Sequence, residues 1–155
     1  IQFGTATFTK NTYVEECKQH SEKLLKALNY TGVCEVEYIK DPVSGEYKLI
    51  EINPRTWLWV GLAKACSVDY AKMIYDHVNH IPLRNTSPVT KSKYWINPFS
   101  DTAFSVLHIL KGKLNPFTYF SSLWKGGKVN ALFSKNDKKP GWAYLLNIIS
   151  FIKKR

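Results

Sequence analysis

The sequence predicts an α+β fold: an antiparallel sheet with packed helices, followed by a mostly helical, basic C-terminal extension. Three observations carry this reading. Two apolar runs alternate with a period of two around a turn, helix-period stripes flank them, and the positive excess falls in the second half of the 155 residues. The expected division is residues 1–83 as one unit and residues 84–155 as the extension.

Taken in order, Gly4-Thr5-Ala6-Thr7-Phe8-Thr9 reads as a strand entering a larger sheet. Asn11 or Thr12 is placed to cap a helix through Val14, Cys17, Leu24, Leu25 and Leu28, with Glu15 and Glu16 favoured by the dipole in its first turn. Gly32 to Ile39 alternates as a strand, Asp41-Pro42-Val43-Ser44-Gly45 is turn chemistry, and Leu49 to Asn53 is the returning strand. A Trp57-x-Trp59 segment follows, then a helix from about Asp69 to His77 that buries Tyr70, Met73 and Ile74. The two tryptophans are candidates to line a pocket, with core packing their more common fate.

In the second half, Lys91 to Ile96 reads as a strand, and Ser100 or Asp101 as the cap of a helix through Phe104, Leu107, His108 and Leu110 that stops at Gly112. Asn115-Pro116 opens another helix through Phe120 and Leu123. Val129 to Phe133 reads as a short strand, Lys135 to Pro140 as a turn, and Trp142 to Ile152 as an apolar helix ending in Lys153-Lys154-Arg155.

The chemistry concentrates on the two alternating runs. On a strand, alternate side chains share a face, so Glu51 and Asn53 point one way while Ile50 and Ile52 point to the core. In the partner strand Glu35, Glu37 and Ile39 share a face, opposite Cys34, Val36 and Tyr38. If both apolar faces meet one core, Glu37 lies beside or diagonally across from Glu51. Like charges so close call for a cation, a shared proton or a basic partner. Oxygen ligands on one face suit a hard cation such as Mg²⁺, and Arg55 just past Pro54 suits phosphate or carboxylate. Glu35 is the ambiguous acid, either a supporting carboxylate or an exposed one.

The run Gly32-x-x-x-x-Glu37-Tyr38, the turn with Asp41 and Gly45, then Leu49-Ile50-Glu51-Ile52-Asn53-Pro54-Arg55 resembles the C-terminal part of the ATP-grasp domain of a carboxylate–amine ligase, of the carbamoyl-phosphate-synthase-like kind. Gly61 to Tyr70 is similar to the helix and turn that follow the family's metal strand, and the likeness covers roughly residues 1–80. The resemblance implies ATP and two Mg²⁺ ions as cofactors, and an acyl phosphate formed from ATP and taken by an amine or a thiol. Its implied substrates are a small-molecule carboxylate and an amine. By the same resemblance Glu37 and Glu51 are metal carboxylates, with Glu51 bridging both ions and touching the nucleotide. Asn53 completes the metal shell, Arg55 is the catalytic arginine that steadies the transferred phosphate, and Ile39 and Leu49 touch the base from the acids' face. Family members carry nucleotide lysines, a Gly-rich loop and a substrate domain upstream. The chain is therefore expected to be a C-terminal fragment whose partners are the missing N-terminal domains of the same protein, and to turn over little alone.

Composition sets the remaining bounds. Cys17, Cys34 and Cys66 are odd in number and lack CxxC spacing, which argues against a disulfide framework or a zinc site and fits a reducing cytoplasm. No apolar run approaches a bilayer-spanning length. Residues 1–83 hold 9 Lys or Arg against 10 Asp or Glu, whereas residues 84–155 hold 13 against 2. Such asymmetry suggests an anionic partner, and an anionic membrane surface at the inner face of the cell membrane is one candidate, with docking of the tail on the missing domains the other. Nucleic acid fits basic and aromatic residues too, yet no recognition motif supports it. The competing reading of the whole chain is thus a non-catalytic module that docks on an anionic membrane or polymer. His77 and His80 straddle a helix end and read as a surface pair rather than a metal site.

Overall fold

The computed structural model describes residues 6–83, 92–124, 126–134 and 136–153, with side chains up to Asn147. Gly4, Thr5, Lys91, Lys135, Lys154 and Arg155, on which parts of the expectations above fall, lie outside the described residues. The fold is α+β, and the chain forms two compact units, one of residues 12–90 and one of residues 1–11 with 91–155.

In the first of these, helix α1 spans Glu15–Ala27, strands β2 and β3 span Glu35–Lys40 and Tyr47–Asn53, and helices α2 and α3 span Val60–Ala65 and Tyr70–Val78. β2 and β3 pair antiparallel as a two-stranded sheet. The turn between them is held by Asp41, whose Oδ1 accepts from the Val43 and Ser44 amides at 2.8 and 3.1 Å. Gly45 turns the chain back with φ of 75°, a conformation that costs other residues steric strain. Lys48 pairs with Asp41 across the turn. Tyr38 on the opposite side of β2 from the acids meets Ser21 of α1 at 3.0 Å between hydroxyls, which fastens the hairpin to the helix.

The core of this unit sits at α2, where Leu62 and Cys66 are buried. α2 ends in a turn that puts Ser67 at φ of 67°, and Asp69 then caps α3 by accepting from the Lys72 amide. The expected buried stripe on α3 needs correction: Tyr70 and Met73 are half-buried, Ile74 is 42 % exposed, and the buried residue of that helix is Asp76, gripped at both carboxylate oxygens by Lys72 one turn back. α1 starts later than its sequence suggests. Its N-cap is Val14 without a side-chain cap, because the Asn11 carboxamide accepts from the Lys93 amide at 2.6 Å instead.

In the other unit, strand β1 spans Phe8–Lys10, β4 Tyr94–Ile96 and β5 Lys128–Asn130, with helices α4, α5 and α6 at Pro98–Leu110, Pro116–Leu123 and Lys139–Lys153. β4 is the middle strand, antiparallel to β1 and parallel to β5. Its central place explains why Trp95 and Ile96 are buried. The expected antiparallel sheet is therefore mixed on this side, and β1 joins a three-stranded sheet with residues from the second half of the chain. α4 is capped by Asn97, one turn ahead of the expected Ser100 or Asp101, with Pro98 at its first position. Asp101 is instead buried, accepting from the Thr7 hydroxyl at 2.9 Å. Asn115 caps α5 as expected, accepting from the Phe117 amide at 2.8 Å. α6 begins at Lys139, three residues before Trp142, and buries Gly141 against Phe133.

Candidate functional site

The β2–β3 register sets Glu37 directly opposite Glu51 and Glu35 opposite Asn53, so three acids and one amide share a face. The predicted juxtaposition is present. The Asn53 amide nitrogen lies 2.8 Å from Glu51 Oε1 and 3.1 Å from Glu37 Oε1, donating to both. One neutral donor thus joins two carboxylates that would otherwise repel. Glu37 and Asn53 are half-buried, and Glu51 is exposed.

Between Glu37 and Tyr38 the pairing jumps from Glu51 to Leu49, which leaves Ile50 as an extra residue in β3. This bulge corrects the expectation for Leu49. Paired with Tyr38, it lies on the Tyr38 face and not on the face of the acids. Ile39 pairs with Lys48 and stays on the Glu37 face, 40 % exposed. The bulge also takes Ile50 out of the alternation: it is 55 % exposed rather than pointing into a core.

Arg55 follows a tight turn in which its amide donates to the Asn53 carbonyl at 2.8 Å. Its guanidinium is exposed and donates to the Thr56 carbonyl. The charge still reaches the acid face. Burial raises the Glu35 carboxyl above the usual carboxylate range, the Glu37 charge adds to that rise, and Arg55 opposes it. Glu35 thus stands on the acids' face opposite Asn53, within electrostatic reach of both Glu37 and Arg55. Its signal in the sequence was the place two residues before Glu37.

Trp57 packs edge-on against Tyr70, ring centres 5.1 Å apart, so it braces the segment after Arg55 against α3. Among the described residues no group of three or more His, Cys, Asp and Glu is placed to hold a metal ion, and His77 and His80 form no such group. The candidate set consists instead of two carboxylates and an amide. Glu37, Glu51 and Asn53 present only oxygen ligands once the Asn53 amide turns its oxygen inward, and such a set fits Mg²⁺.

Comparison with known proteins bears on the same stretch. Residues 2–73 match the family model described as "Carbamoyl-phosphate synthase L chain, ATP binding domain". Acetyl-CoA carboxylase 2 of Oryza sativa subsp. japonica is 38% identical over 55 residues, which is 36% of this chain and 2% of that protein. Acetyl-CoA carboxylase 2 of Arabidopsis thaliana is 34% identical over 55 residues, again 36% of this chain and 2% of the relative. The carbamoyl phosphate synthase large chain of Methanobrevibacter smithii is 41% identical over 54 residues, 34% of this chain and 5% of that one. The chain thus spans only 2% to 5% of the length of these curated relatives. No solved structure matches it. Over residues 2–73, which include Glu37, Glu51, Asn53 and Arg55, this chain is similar to the ATP-grasp domain of the carbamoyl-phosphate synthase large chain.

Proposed function

We propose that this chain supplies the metal-binding half of a Mg²⁺–ATP site in a ligase that activates a carboxylate as an acyl phosphate for attack by an amine or thiol. The observation that carries the reading is the Asn53 amide held between Glu37 and Glu51 on one strand face, with Arg55 two residues further on. Glu37, Glu51 and Asn53 would hold the metal. When bound, Mg²⁺ neutralises phosphate charge, the main demand of phosphoryl transfer.

The chain's own residues do the positioning. Asn53 keeps the two carboxylates on one face before any cation arrives, and on binding its amide would turn to offer oxygen in place of the N–H donors. Arg55, permanently charged and with a fork of donors, is suited to grip the transferred phosphate or the substrate carboxylate. Ile39 offers exposed apolar surface beside the acids for the nucleotide base, whereas Leu49 faces the other way and drops out of that role. In this reading the nucleotide lysines, the cover over the phosphates and the selection of both substrates come from outside residues 1–155.

The test is Glu51→Gln, which keeps shape and removes charge. In the protein that carries this segment, Mg²⁺-dependent ATP turnover should vanish while the circular dichroism and melting curves stay unchanged. Turnover at the unsubstituted rate would end the metal assignment.

A further inference from the structure

The most exposed aromatic surface lies far along the sequence from the acid hairpin, on α5. Phe117 is 84% exposed, Phe120 58% and Trp124, which ends the helix, 87%. Their spacing of three and four residues puts them on one stripe. Tyr119, on the opposite side of the same helix, is buried and meets the Thr102 hydroxyl of α4 at 3.1 Å. α5 therefore already has its packing face, and the aromatic stripe is a second apolar face turned outward.

The charge around it has one sign. From residue 102 to residue 136 the sequence holds lysines at 111, 113, 125, 128 and 135 and no acid at all. Lys111 and Lys113 stand in the tight connection that turns α4 into α5, where Gly112 adopts φ of 66° and the Lys113 amide donates to the His108 carbonyl. Both are exposed. Lys128 reaches the Leu123 carbonyl at the far end of α5. Positive charge thus brackets the stripe at both ends.

We propose that α5 is an interfacial anchor that lays Phe117, Phe120 and Trp124 into the headgroup region of an anionic bilayer, with Lys111 and Lys113 on the lipid phosphates. Trp124, with its indole N–H, suits the headgroup level, Phe117 and Phe120 suit the apolar boundary beneath it, and each lysine near an anionic surface strengthens the attraction. Flat binding is required, since among the described residues no helix is long and apolar enough to cross a membrane. The inference does not rest on the nucleotide reading.

The experiment is co-sedimentation of the full chain with vesicles of phosphatidylcholine alone and of phosphatidylcholine mixed with phosphatidylserine. Binding should be confined to the anionic vesicles and should fade as salt rises. Phe117→Gln with Trp124→Gln should weaken it by about a hundredfold, since each ring contributes on the order of a decade. Both side chains are outside any packed face, so circular dichroism should be unchanged. Lys111→Gln with Lys113→Gln serves as the independent variant and should flatten the salt dependence. Equal binding to neutral vesicles, no binding to either, or undiminished binding by the aromatic variant would overturn the proposal. So would a stable dimer of the chain that the aromatic variant dissolves.

Discussion

Asn53→Asp converts the one donor between two carboxylates into a fourth acid on a face that already holds three. The native amide donates to Glu51 at 2.8 Å and to Glu37 at 3.1 Å. A hydrogen bond to a charged acceptor contributes about 1.5–3 kcal/mol, and the exposure of Glu51 puts its share at the low end. The new charge then adds repulsion of about 1 kcal/mol per pair near 4 Å in bulk water, and more where water is partly excluded. Together these predict a loss of roughly 3 kcal/mol in metal-free buffer, read as a fall in the urea midpoint at constant slope. Mg²⁺ should reverse much of it, because a further carboxylate raises cation affinity, and saturation at a hundredfold excess over Kd returns about 2.7 kcal/mol. The comparison is urea unfolding of variant and unsubstituted protein, each with chelator and with Mg²⁺. A metal-free loss below about 0.5 kcal/mol would mean the amide does not bridge the two acids. If Mg²⁺ stabilised the variant no more than the unsubstituted protein, the face would not be a cation site.

Three further outcomes follow from particular contacts. Gly141→Ala places a Cβ against the Phe133 ring and 2.8 Å from the Leu132 carbonyl, and backbone cannot yield as a side-chain tip does. Thermal unfolding should show a loss of about 1–3 kcal/mol, typical of overpacking. Thr9→Val should act in the opposite sense. The Thr9 hydroxyl oxygen is buried in β1 without a hydrogen-bond partner, so an apolar group of the same shape should raise stability by about 1 kcal/mol in the same assay. Glu35→Gln tests pH dependence. Since its folded carboxyl titrates above the unfolded one, the stability it lends is present at acid pH and lost as pH rises through the folded value. The variant should accordingly be more stable than the unsubstituted protein at neutral pH, with the gap closing towards pH values below the ordinary carboxylate range; a gap that widens on acidification would reverse the assignment.

What could be read from the sequence was whatever depends on near neighbours. The acids' common face follows from strand alternation, and Asp69 and Asn115 cap their helices because an oxygen three or two residues ahead of an amide reaches it without outside help. Expectations failed where a distant partner competed. Asn11 is well placed to cap α1, yet its carboxamide is drawn to Lys93, 82 residues away. Asp101 has the composition of a cap but is buried against Thr7, 94 residues back, which leaves Asn97 to begin the helix. No periodicity reports such pairings, since they are set by β1 lying against β4.

The Ile50 bulge is the point where local and long-range rules collide, and it shapes the candidate site. A strict period of two would have put Leu49 on the acids' face together with Glu51 and Asn53, and would have carried apolar and acidic side chains side by side along β3. With one residue extruded, Glu51 and Asn53 keep their register against Glu37 and Glu35, while Leu49 and the residues before it change faces. The acid face is thereby bounded on the β3 side by the bulge and on the β2 side by Ile39 alone. Bulges re-aim side chains where pairing must be interrupted without being lost. Here the interruption separates a polar end of the hairpin, with Glu35, Glu37, Glu51, Asn53 and Arg55, from a turn end stabilised by its own Asp41 and Lys48. Chemistry at the first end is consequently insulated from the length and composition of the turn, and changes at Val43, which is 95% exposed, should leave the acid cluster as it is.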